Sequence, residues 1–278
     1  FKILQGVIEL DEDEQKELSG ILEYSSLSNI TRTIKLLCDR QKVIQTLKEI
    51  VFNKEFNSYE VKHVQELVEK HYWIFGEQYN LITSAEPDFE LALKGMIKAE
   101  MGIEEEVHIE HPDKNKEMDL YMIRQDRQGR VTENVVVELK RPKIKLGEKE
   151  LSQVKKYMRV IKNTPRFNAG NVKWTFYLVG NEFDKSLYIP GELESHKFLG
   201  EQHLVHCQDN GLTKIYVLKW SEIFDDYSKR HDFLMEHLKL EEKLWLETHE
   251  SADDAVTAVE NNSATLPEAI IPKNQKVV

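Results

Sequence analysis

The run Val135-Val136-Val137-Glu138-Leu139-Lys140-Arg141-Pro142 constrains this chain more than any other stretch. Consecutive β-branched and apolar residues over this length mark a strand covered on both faces. Pro142 has no N–H to donate to a ladder, so the strand ends before it. Side chains alternate along a strand, so Val135, Val137 and Leu139 share one face while Val136, Glu138 and Lys140 share the other. A carboxylate and an ammonium therefore project side by side from an apolar strand. Burying such a pair costs several kcal/mol of desolvation that Coulomb attraction only partly offsets.

Around this strand the apolar periodicity predicts an α/β fold. Residues 118–123 and 131–140 form a strand hairpin turned at 126–130, with Gly129 in the turn. Residues 148–162 form a helix with Leu151, Val154, Tyr157, Met158 and Ile161 on its core face and most of its lysines on the other. Strands follow at 172–179 and 214–220, and Ser221 caps a last helix carrying Phe224, Phe233, Leu234 and Leu238. Upstream, a helix at 89–101 precedes a weak strand at 107–109, so the core reads α-β-β-β-α-β. Another helix is capped at Ser58, carries Val61, Val64, Leu67 and Val68 inward, runs to Trp73 and stops near Gly76. Residues 1–53 read as an N-terminal helical region, 54–249 as the α/β domain, and 250–278, poor in aromatics, as a disordered tail.

The formal charge of −11 argues against a nucleic-acid partner when taken as an average. The average conceals a basic segment. Between Lys140 and Arg166 stand ten basic residues, namely Lys140, Arg141, Lys143, Lys145, Lys149, Lys155, Lys156, Arg159, Lys162 and Arg166. Only Glu148 and Glu150 oppose them, a balance of +8 that leaves −19 in the rest of the chain. Such a segment is either a polyanion footprint or a solvated helix face. With 40% hydrophobic residues the 278-residue chain has material for a substantial core. No run of about 18 apolar residues occurs, which excludes a spanning helix, and mean hydropathy is −0.53. Two cysteines, Cys38 and Cys207, and no signal-peptide pattern point to a reducing, cytoplasmic setting without membrane contact. The chain opens on Phe1 rather than Met, from which an upstream segment is expected.

The paired charges make chemical sense if Glu138 helps hold a hard divalent cation. Lys140 then orients or deprotonates an attacking water, or stabilises charge developing on a phosphate. A second acid interrupts an apolar run in Met118-Asp119-Leu120-Tyr121-Met122. Hairpin pairing would bring Asp119 and Glu138 to the strand junction, where two carboxylates suffice for Mg²⁺, which retains several waters. The bland alternative is two unrelated acids on edge strands facing solvent. His203-x-x-His206-Cys207 has ligand types suited to zinc but lacks a fourth ligand at matching spacing, and strand alternation parts His206 from Cys207. There is no Walker-type phosphate loop.

In order, Asp119, then Glu138-x-Lys140 on a strand 19 residues on, then Gln153-x-x-x-Tyr157 on a helix resemble the PD-(D/E)XK nuclease superfamily. With His71-Tyr72-Trp73-Ile74-Phe75-Gly76 added, the set is similar to the Shedu anti-phage defence nucleases over roughly residues 58–179. One departure is Met118, which stands where the superfamily has a proline. The resemblance implies a mixed central sheet flanked by helices, carrying a Mg²⁺- or Mn²⁺-dependent DNA endonuclease that acts in cytoplasmic defence as a homo-oligomer. It also implies metal binding by Asp119, Glu138 and the Leu139 carbonyl, with Glu77 as an additional ligand. Lys140 becomes the catalytic lysine and Gln153 a catalytic partner, while Arg141, Lys143, Lys145 and Tyr157 contact DNA. Two other readings stand beside it. In one, the nuclease fold binds nucleic acid or a partner without cutting; in the other, the helices before Asn53 serve oligomerisation or sensing.

Overall fold

The computed structural model describes residues 10–53, 61–84, 88–101, 106, 108–112, 117–126, 128, 130–168, 172–237, 254, 256, 257 and 259. Two helices open the described chain, α1 (Glu12–Tyr24) and α2 (Leu27–Phe52). The acid run at the start of α1 caps it: the Asp11 carboxylate accepts from the N–H groups of Asp13 and Glu14, and Glu14 returns a bond to the Asp11 N–H. α1 buries no residue, whereas the second half of α2 buries Val43, Ile44, Leu47, Ile50 and Val51.

The helix expected up to Trp73 divides into α3 (Val61–Lys70) and a short 3-10 turn, Tyr72–Phe75; its expected cap, Ser58, lies outside the described residues. There follow β1 (Asn80–Ser84), α4 (Phe89–Met101), β2 (Leu120–Gln125) and β3 (Val131–Leu139). Next come β4 (Lys145–Leu146), α5 (Glu148–Lys162), β5 (Lys173–Gly180) and β6 (Glu182–Phe183). The described run continues through α6 (Tyr188–His196), β7 (Leu204–Gln208), β8 (Thr213–Lys219) and α7 (Trp220–His237).

Six strands form a mixed sheet in the order β1-β2-β3-β5-β8-β7. The β1-β2-β3 part is antiparallel, β3, β5 and β8 run parallel, and β7 returns antiparallel to β8. This is the α/β core with an N-terminal helical region that the sequence predicts. The third antiparallel strand, however, lies before α4 as β1. Described residues 108 and 109 of the expected weak strand are not strand. β1 was missed because Asn80-Leu-Ile-Thr-Ser is short and only Leu81 and Ile82 in it are apolar, and pairing along β2 is what holds it extended.

Both sheet faces are covered, which explains the unbroken apolar run in β3. Val136, Tyr121, Ile123, Phe176 and Leu178 pack against Phe89, Leu93, Leu151, Val154, Tyr157 and Ile189 from α4, α5 and α6. Val135, Val137, Leu139, Leu120 and Val179 pack on the other side against α2, α3 and α7. The helices before residue 53 thus share a core with the sheet. Of the segment expected as a disordered tail, Asp254, Val256, Thr257 and Val259 are helical, and Val256 and Val259 join this second core cluster. Composition alone could not reveal that two valines in a polar segment find an apolar surface.

Candidate active site at the end of strand β3

The face alternation expected for β3 places Glu138 on the α5 side, where its carboxylate is 5% exposed. The antiparallel register sets Leu120 across from Val137. Asp119 immediately precedes that last pair, as Glu138 follows it. Asp119 is 8% exposed, and its Oδ2 accepts the Leu139 N–H at 2.5 Å, tying the start of β2 to the end of β3. The Lys140 N–H donates to the Val179 carbonyl at 2.8 Å, so the backbone under the lysine is held by the neighbouring parallel strand.

The Lys140 ammonium folds back onto the Glu138 side chain. Its Nζ donates to Glu138 Oε1 at 2.5 Å and to Gln153 Oε1 at 2.8 Å, with the lysine side chain 16% exposed. Gln153 completes the ring: its Nε2 donates to Glu138 Oε1 at 2.8 Å and to the Tyr157 hydroxyl at 2.6 Å. The single phenolic proton of Tyr157 is shared between the Glu117 carbonyl at 2.6 Å and Glu138 Oε2 at 2.9 Å. Burial, and then the Glu138 charge, push the Tyr157 hydroxyl far above the ordinary tyrosine range, so the donor is the neutral phenol. Three side chains therefore aim N–H or O–H groups at one carboxylate. Bonds of this charge-assisted kind contribute about 1.5–3 kcal/mol each, enough in sum to offset the desolvation of Glu138.

The turn between β3 and α5 fixes how Gln153 and Tyr157 meet the strand. Gly147 precedes the helix, and its N–H donates to the Glu150 carboxylate at 3.1 Å. A Cβ at Gly147 would lie 2.1 Å from Asp184 Oδ2, so any larger residue there would force the Asp184 carboxylate to move. From there the helical repeat brings residues 153 and 157 onto one face toward the carboxylate.

Asp119, Glu138, Lys140 and Gln153 are thus brought to one strand end, and Leu139 lies between the two acids. Tyr157 is a correction: it was expected to touch DNA, but it is fully buried (0% exposed) and acts on Glu138 from beneath. Glu77 is not brought to the site. Both its oxygens are held by Arg40, at 2.7 and 2.8 Å, and Arg40 lies over the Trp73 ring. Lys145 pairs with Glu182 at 2.7 Å, while Arg141 and Lys143 are exposed in the turn beyond β3. Sequence reasoning missed Glu117, whose backbone carbonyl fixes Tyr157; a main-chain acceptor leaves no trace in residue type.

Among the described residues no three His, Cys, Asp or Glu gather as a metal-holding group. Two buried carboxylates opposed by one ammonium nevertheless leave a net negative charge out of water. The two carboxylates and the Leu139 carbonyl are oxygen donors of the kind that could hold a hard divalent cation.

The histidines set aside as zinc ligands have other partners. His203 pairs with Glu222, and His206 lies 3.3 Å from Gln208 and beside His196. Burial holds His206 below the ordinary imidazole value; the Lys155 charge acts the same way, against the Gln208 bond. The folded state then binds fewer protons than the unfolded one, so this contribution to stability is present above about pH 6.5 and is lost as pH falls below it through the lower folded-state value. The thermal midpoint is expected to drop between pH 7.5 and 5.5, and His206→Gln should flatten the drop. An unaltered slope in the variant would reject His206 as its source.

Residues 94–177, under a third of the chain, match the family described as the type I restriction enzyme R protein N terminus. The match spans Asp119, Glu138, Lys140, Gln153 and Tyr157. No curated protein and no solved structure matches the chain.

Proposed function

We propose that the chain is a Mg²⁺-dependent nuclease that hydrolyses phosphodiester bonds in DNA, with Mn²⁺ able to replace Mg²⁺. The observation that carries this reading is the convergence of Asp119, Glu138, Lys140 and Gln153 on one buried strand end. Similarity to a restriction-enzyme segment across these residues supports it, as does the ordered likeness to the Shedu nucleases. On that likeness the protein acts in cytoplasmic anti-phage defence as a homo-oligomer. No described helix is long and apolar enough to cross a membrane.

When bound, Mg²⁺ supplies charge neutralisation and a more acidic water at the scissile phosphate. The protein's own groups provide the rest. Asp119 and Glu138 supply the anionic ligands, and Tyr157 and Gln153 fix the rotamer of Glu138 through its two oxygens. Lys140 places its ammonium where negative charge accumulates on the phosphate, in a low-dielectric setting that strengthens the attraction. Gln153, bonded to both Lys140 and Glu138, keeps the two in register.

The Glu138 oxygens are already engaged by Lys140, Gln153 and Tyr157. That observation favours a second reading, in which the same cluster is a structural knot in a module that binds without cutting. Closed circular and linear DNA incubated with Mg²⁺ and with chelator separate the two. Nicking or linearisation that depends on Mg²⁺ is expected, and an intact circle at high enzyme excess would leave the second reading standing.

A further inference from the structure

The ten basic residues of the central segment do not behave alike in three dimensions. Lys140 is spent on Glu138 inside the site, and Lys145 pairs with Glu182. Lys155 lies 3.6 Å from Glu192 and Lys162 lies 2.6 Å from Asp209. Lys149, Lys156 and Arg159 are exposed and form no ion pair among the described residues; Arg159 bonds through Nε to the Lys155 carbonyl. At about 100° per residue, Lys149, Lys156 and Arg159 fall within roughly 80° of one another around α5. Lys155 and Lys162 fall on the flank toward the acids of α6 and the β7–β8 turn. Gln153, which belongs to the site, lies on the opposite flank, about 40° beyond Lys149. The cations left without acids are therefore the ridge that borders the catalytic cluster.

We infer that the Lys149, Lys156 and Arg159 ridge, continued by Arg141 and Lys143 at the end of β3, is the surface that holds the phosphate backbone of DNA. Ten residues of helix span about 15 Å, room for two to three phosphates of one strand. Charge complementarity selects the occupant, since in a protein of net charge −11 a ridge of cations without acid partners is a locus that attracts a polyanion. Acids from other elements neutralise the neighbouring lysines, which confines the track to the side where the scissile phosphate must sit. The identity of the polymer rests on the nuclease reading; the existence of the track does not.

The test is binding of labelled duplex and single-stranded DNA, and of RNA of the same sequence, in chelator so that no cutting occurs. The variant Lys149→Glu/Lys156→Glu/Arg159→Glu is compared with a control of equal charge change on the N-terminal helices, Lys16→Glu/Arg32→Glu/Lys35→Glu. The ridge variant is expected to bind DNA at least tenfold more weakly, with the salt slope for duplex reduced by about 2–3, while the control retains binding. Equal losses in both variants, no loss in the ridge variant, or a clear preference for RNA overturns the inference. Mg²⁺-dependent cutting is scored separately. A chain that binds through the ridge but never cuts sinks the nuclease reading alone, and one that cuts equally well without the ridge sinks the track alone.

Discussion

On the proposed nuclease reading, Lys140→Met is expected to remove Mg²⁺-dependent DNA cleavage, with a loss of at least about 10²–10³-fold in the rate of plasmid nicking. The change keeps an unbranched apolar stem only one atom shorter but deletes the ammonium that bridges Glu138 and Gln153. A second effect follows from burial. With the ammonium gone, Glu138 keeps only Gln153 and Tyr157 as donors, and breaking a buried pair destabilises by on the order of 3 kcal/mol. Adding Glu138→Gln to Lys140→Met removes the uncompensated charge, so the double variant should regain most of that stability in urea unfolding and remain inactive. A fully active Lys140→Met enzyme would end the assigned role, and a double variant no more stable than the single would show that the pair is not electrostatically coupled.

Leu47→Ala is expected to cost about 2–5 kcal/mol, the range for deleting a fully buried leucine from a packed cluster. The site of this residue matters more than its size. Leu47 lies on α2, within the stretch read as an N-terminal helical region, yet it packs in one cluster with Val135, Val137 and Leu139 of the strand that carries Glu138. Ile21→Ala on α1, where the side chain is 52% exposed, should change stability by no more than about 0.5 kcal/mol. Urea midpoints of the two variants decide the matter; similar small effects would mean that α2 is an appendage. The same packing changes how an oligomerisation role should be tested. Deleting residues 1–50 strips Val43, Ile44, Leu47 and Ile50 from the core, whereas a chain beginning at Ser26 keeps the cap of α2 and, of the described elements, removes α1, which buries nothing.

Much of the site was readable in advance because its signal is local. The alternation in β3 by itself assigns Glu138 and Lys140 to one face, and the bounds of α5 match the residues 148–162 expected from periodicity. The hairpin that brings Asp119 to the end of β3 was equally legible, since a short polar turn between two apolar runs permits few other pairings. Other assignments failed where the deciding partner is remote in sequence. Glu77 looks like any acid at the end of a helix, and only the approach of Arg40, 37 residues away, removes it from the candidate ligands. Tyr157 looked equally fit for a DNA surface and for a core, and depth of burial decided in favour of the core.

The basic segment shows the same division on a larger scale. Composition established that cations accumulate between Lys140 and Arg166, because charge is a property of residue type. Which of them remain available to a ligand depends on Glu182, Glu192 and Asp209, brought up by elements that follow α5 in the chain. Sequence alone determined the strand, its alternating faces and the helix that answers it, all products of steric preference and period over neighbouring residues. Tertiary structure alone decided which acid meets which base, since Coulomb and hydrogen-bond energies depend on ångström separations that chain order does not encode.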